Sequence, residues 1–89
     1  MINTINYLKL KRLLLTYFRN TRVCIELQGS IDTKIFIDKS KISINKHKVV
    51  IFNEDEDFTI EFLEMKKLKF KNKFCIEMIY KDFKITLVL

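Results

Sequence analysis

"YLKLKRLLLTYFRNTRVCIELQ", residues 7–28, contains the change of period that decides the fold. In its first part, Leu10, Leu13, Leu14, Tyr17 and Phe18 fall at i, i+3, i+4, i+7 and i+8. That is the apolar stripe of an amphipathic helix. Lys9, Lys11, Arg12, Thr16 and Arg19 take much of the remaining surface, and Leu8 and Leu15 widen the apolar face. The spacing predicts a helix over 7–20, capped by Asn3 or Asn6. Asn20 is the expected stop, because asparagine tolerates the left-handed conformation. From Arg22 onward the period drops to two, with Val23, Ile25 and Leu27 on one side.

The rest of the chain keeps that period. Ile35 and Ile37, Ile42 and Ile44, then Phe58, Ile60 and Phe62 each mark one face of a strand. "KVVIF" (48–52), "LKF" (68–70), "FCIEMIY" (74–80) and "FKITLVL" (83–89) continue the series. The links are short and polar: "GS" (29–30), "NEDED" (53–57), "KN" (71–72) and "KD" (81–82). Such links predict antiparallel hairpins. The expected fold is mainly β (α+β): a single domain over 1–89, with a helix at 7–20 and an antiparallel meander of six or seven strands over 22–89. Several strands carry apolar residues on their second face too: Cys24, Phe36, Val50, Phe52, Cys75, Ile79 and Val88. A sheet with one wet face alternates more cleanly. We therefore expect a small barrel or strongly curled sheet, with the helix packed on it and covering part of that second face.

Composition narrows the class. Of 89 residues, 48% are hydrophobic and 31% charged, which excludes a disordered chain. There is one Gly, no Pro, no Trp and no Ala, while Lys, Ile, Asn and Phe are abundant. That bias points to AT-rich coding, as in low-GC bacteria, their phages and plasmids. No run approaches the ~20 apolar residues of a membrane span, and no signal-peptide pattern is present. The expected location is cytoplasmic. In that compartment Cys24 and Cys75 are expected to be free, buried thiols.

Catalytic chemistry has little to work with. His47 is the one histidine, in the turn "NKHK" (45–48), and the cysteines lie in apolar strands. One glycine cannot build a Gly-rich phosphate loop. Two Cys and one His do not make a four-ligand zinc site without carboxylates. The acidic run Glu54–Asp57 lacks the alternating ligands and the glycine of a calcium loop. The chain reads as a non-enzyme with no cofactor and no metal.

The charge is unevenly placed. The net charge of +6 divides into +5 over 1–25, −4 over 26–65 and +5 over 66–89. If the helix packs near the last strands, Arg12, Arg19 and Arg22 join Lys66, Lys67, Lys69, Lys71 and Lys73 in one patch. Such a patch is the electrostatic footprint of phosphate binding. In "KKLKFKNKF" (66–74), period two sends Lys67, Lys69, Lys71 and Lys73 to one face and Leu68 and Phe70 to the core. The same lysine row also suits an edge strand protected against aggregation.

The helix followed by Val23, Ile25, Leu27 and Gly29 resembles the opening of an Sm-like barrel. Those are small, strongly bent barrels behind an N-terminal helix, often RNA-binding rings. The likeness covers the helix and first strand alone. The later strands lack the bending glycines of such barrels, so no binding residue is carried across.

Two functions follow as expectations. The first is a small binding module whose basic face holds nucleic acid through phosphate contacts. The alternative is a protein-interaction or self-assembling module, a homo-oligomer or a small phage, plasmid or low-GC bacterial protein acting on a host protein.

Overall fold

The computed structural model describes residues 2–89. Asn3 caps the helix: its Oδ1 accepts from the Asn6 N–H at 2.8 Å. The helix, α1, runs Thr4–Leu13 and then widens into a π turn over Leu14–Phe18. The turn closes on the Arg19 N–H donating to the Leu14 carbonyl at 3.0 Å. The element thus starts three residues before the expected 7–20 span. Thr4, Ile5 and Asn6 precede the apolar stripe, and the Asn3 cap rather than packing starts them. Leu10, Leu14 and Phe18 are fully buried. Asn20 takes a φ of 62°, the left-handed stop expected of it.

Eight strands follow, one or two more than the six or seven expected: β1 Val23–Gln28, β2 Thr33–Ile37, β3 Lys41–Ile44, β4 Lys48–Phe52, β5 Asp57–Glu61, β6 Lys67–Asn72, β7 Cys75–Ile79 and β8 Lys84–Val88. All pairings are antiparallel. They form two sheets, one of five strands in the order β2-β1-β8-β7-β6 and one of three in the order β3-β4-β5. The expected closed barrel is therefore not formed, and the chain is not one continuous meander. The chain leaves the large sheet after β2, builds the small sheet, and returns so that β8 lies between β1 and β7. The crossing from β2 to β3 passes Lys39, whose φ is 49°.

With one glycine and no proline, asparagine side chains make most of the turns. Asn45 Oδ1 accepts from the N–H groups of His47 and Lys48, and Asn53 Oδ1 accepts from those of Asp55 and Glu56. Asn72 Oδ1 accepts from the Phe74 N–H, so the β6–β7 turn lies at Lys73–Phe74, two residues later than "KN" suggested. These are Asx turns, in which a side chain stands in for a backbone turn. Gly29 is needed for space. A Cβ there would lie 3.1 Å from Phe83 Cβ and 3.2 Å from the Asp82 carbonyl oxygen.

One core lies between the layers. Val23, Ile25, Ile37, Ile76, Met78 and Leu87 from the large sheet meet Val49, Ile51 and Ile60 from the small one, with Leu10, Leu14 and Phe18 of the helix. The helix therefore fills the inner side of the large sheet. It does not cover the second face, contrary to expectation. There, Phe36, Cys24, Val88 and Cys75 stand side by side across four strands. Phe36 is exposed and the other three half-buried.

Candidate functional site

The edge strand β6 carries most of the expected basic residues. Alternation turns Lys67 and Lys69 outward and Leu68 and Phe70 inward, where both pack against the core. Lys71, at a shift of register between Phe70 and Asn72, reaches the outer side toward Glu77. Phe70 is thus part of the packing, as its spacing implied. Lys66 and Lys67 are exposed just before and at the start of the strand, and Lys73 is exposed at the hairpin tip.

The helix meets this edge. Lys9 Nζ lies 4.5 Å from the centroid of the Phe70 ring. Tyr17, in the π turn, makes an edge-to-face pair with Phe74 at 5.6 Å. Lys73 Nζ sits 5.4 Å from each of those two rings. Along this border Lys73 sits against the two partly exposed rings and Lys9 against Phe70 on the inner side of β6, while Lys67, Lys69 and Lys71 stand on its outer side. Cations over ring faces are held by the ring quadrupole and keep their charge outward. Sequence reasoning missed Lys9, Tyr17 and Phe74. Tyr17 was assigned to the core stripe, and only the packing of helix on hairpin brings Lys9 to β6.

One acid lies in this neighbourhood. Glu77 on β7 stands opposite Lys69. Its carboxylate oxygens are 3.8 Å from Lys71 Nζ and 3.4 Å from Lys84 Nζ. Lys71 is thus partly answered within the chain. Lys66, Lys67 and Lys73 have no carboxylate partner among the described residues.

The three arginines do not join the row. Arg22 precedes β1 and lies at the opposite border of the large sheet. It stacks on Phe36 at 4.4 Å, and its Nε is 3.3 Å from Asp38 Oδ1. Arg12 and Arg19 are exposed on the helix and just after it, and no ion pair ties them to β6 among the described residues.

The cysteines occupy the outer face. Cys24 and Cys75 both stand opposite Val88, one on each side of it. Two ladder spacings separate them by roughly 9–10 Å, beyond the ~7 Å limit of a disulfide. Both are free, and both are half-buried rather than buried as expected. Burial, and then Glu26 for Cys24 and Glu77 for Cys75, pushes both thiols above their ordinary range. His47 sits exposed in the β3–β4 turn of the other sheet. No group of three or more His, Cys, Asp or Glu gathers as a metal site among the described residues. The run Glu54–Asp57 forms the exposed tip of the β4–β5 hairpin. No helix among the described residues is long and apolar enough to cross a membrane.

A cavity lies elsewhere. A groove of about 680 Å³ opens between β5, the end of β1 and the β7–β8 turn. Tyr80 and Phe83 stack beside it at 4.5 Å, and the Tyr80 hydroxyl donates to the Glu61 carbonyl. Burial, and then Glu61, raises the Tyr80 phenol to about 12.

Comparison with protein-family models, with curated proteins and with solved structures finds no match to this chain.

Proposed function

We propose that this chain is a small non-enzymatic binding module that holds nucleic acid through phosphate contacts along the β6 border. The observation that carries the reading is the concentration of lysines along one edge strand: Lys67, Lys69 and Lys71 on its outer side, Lys9 over Phe70 on its inner side, and Lys73 at the hairpin tip. Lysine point charges in a row grip a phosphate backbone with little base readout. The Tyr17–Phe74 pair adds a ring surface at the hairpin tip, and an unpaired base can stack on an exposed ring. This favours single-stranded over double-stranded ligands. Arg12 and Arg19 contribute long-range attraction and Arg22 little.

The test is a titration of labelled single- and double-stranded RNA and DNA at about 50 and 200 mM salt. A protein making several phosphate contacts loses orders of magnitude in affinity between those salts. Absence of binding at the lower salt overturns the reading.

A second reading, a protein-interaction or self-assembling module, is favoured by the row Phe36, Cys24, Val88 and Cys75, over which no helix or second sheet packs among the described residues. Light scattering over a range of concentrations checks its self-association form. A strict monomer at high concentration removes that form.

A further inference from the structure

The bonding of β5 leaves one side of the strand free. The Phe62 N–H donates to the His47 carbonyl, and the Asn53 N–H donates to the Glu56 carbonyl. With the register Ile51↔Phe58 and Val49↔Ile60, these bonds place Phe58, Ile60 and Phe62 in the hydrogen-bonded pairs with β4. The alternate residues Asp57, Thr59 and Glu61 then direct their N–H and C=O groups to the other side. No strand lies there among the described residues. The Tyr80 hydroxyl takes the Glu61 carbonyl. The remaining outward groups run along the mouth of the groove.

The groove itself is apolar below and acidic above. Leu27, Ile60 and Ile85 line it with Phe58, Leu63 and Phe83. Leu63 is 74% exposed and Phe83 45%. At its rim, Glu61, Glu64 and Asp82 outnumber Lys81.

We propose that β5 and this groove bind an extended segment of another protein by strand addition, and that the segment alternates apolar residues with lysine or arginine. A strand laid on β5 sends every second side chain between the sheets and the others outward. The inward set falls on Phe58, Leu63 and Phe83. The outward set meets Asp57 and Glu61, on the outer face of β5. Main-chain bonds supply affinity, and the alternate side chains supply selectivity. A second copy of this chain fits poorly. Its best match to the pattern is Lys67–Lys71, whose Leu68 and Phe70 already pack against its own core. It would bring lysines and backbone but nothing to fill the groove.

The test uses a short fluorescein-labelled peptide in which lysine alternates with valine and phenylalanine. Binding is read by fluorescence anisotropy and by backbone amide chemical shifts. Saturable binding is expected, with shifts at Asp57, Thr59 and Phe83. Thr59→Pro removes an edge N–H at a position where proline is tolerated in a sheet. Leu63→Asp alters an exposed side chain, so the fold is unaffected. Each variant is expected to weaken binding at least about tenfold, as is N-methylation of the probe on alternate amides. Should Thr59→Pro fail to fold, Leu63→Asp and the methylated probe still decide. Three outcomes overturn the proposal. They are no saturation up to millimolar peptide, binding indifferent to all three changes, and shifts confined to β6 or α1. Movement of the β5 amides on concentrating the protein alone would assign the edge to a second copy and overturn it as well.

Discussion

The hydroxyl of Ser40 donates a hydrogen bond to the backbone carbonyl of Phe18. Ser40 also donates its N–H to the Thr21 carbonyl at 2.9 Å and accepts the Asn20 N–H at 2.7 Å. One buried serine at the β2–β3 crossing thus holds both the end of the helix and the start of β1. Ser40→Ala strands a buried carbonyl, so a loss of about 1–3 kcal/mol is expected in urea denaturation. Ser40→Thr, which keeps the hydroxyl, should lose less if the extra methyl is accommodated.

Reversal of Lys67, Lys69 and Lys71 to Glu is expected to abolish nucleic-acid binding while leaving the circular dichroism spectrum unchanged. Arg22→Glu, at the far border, should leave affinity nearly intact. Equal losses from the two variants would mean that general charge, rather than the β6 row, governs binding.

Tyr80 gives a pH signature. Its folded pKa of about 12 lies above the ordinary value of 10. The stabilisation it contributes is therefore complete below pH 10 and declines as pH rises from there toward 12. Tyr80→Phe is expected to lower stability at neutral pH, by about 1 kcal/mol for the lost hydrogen bond. It should also flatten the fall in alkali. The check is the difference between wild type and variant in melting temperature against pH, which cancels what the two proteins share.

Both thiols are expected to react slowly with a thiol reagent near neutral pH in the native protein and fully after unfolding. Oxidation should leave the monomer without an internal disulfide, as judged by intact mass after alkylation. A Cys24–Cys75 link would require the strands on either side of β8 to be rearranged.

Gly29→Ala is expected to cost about 1–3 kcal/mol by overpacking. The nearest atoms are the Phe83 Cβ and the Asp82 backbone, neither of which is the free end of a flexible side chain. Thermal melts measure the loss, and the amide shifts of Phe83 report whether the groove moves with it.

The strands themselves were legible in the sequence. Val23, Ile25 and Leu27, or Phe58, Ile60 and Phe62, announce period two without help from glycine or proline. What local pattern does not encode is which distant strands pair. Nothing in "KIFIDKSKISI" (34–44) says that the chain changes sheets at Asp38–Ser40, because a left-handed lysine leaves no compositional mark. The second-face residues Cys24, Phe36, Cys75 and Val88 signalled a need for cover. The helix, however, was taken up by the inner face. The lysines of β6 were legible as a row, and the approach of Lys9 and Tyr17 was not, since it depends on how the helix lies against the hairpin. Arg22 looked equivalent to the row lysines, but β1, β8 and β7 lie between its border and β6.

The order in which the strands are made differs from the order in which they lie. β8 is the middle strand of the large sheet, so that sheet has no continuous hydrogen-bonded ladder until residues 84–88 arrive. Before then, the β1–β2 hairpin and the β6–β7 hairpin are separate fragments, each with an apolar face and a raw edge. The closing contact joins Cys24 to Val88 across most of the chain. Contacts of such long separation set the slow, millisecond-to-second end of folding rates. Until β8 docks, the large sheet stays in two pieces with unpaired edges, the form of the chain most open to aggregation and to proteases.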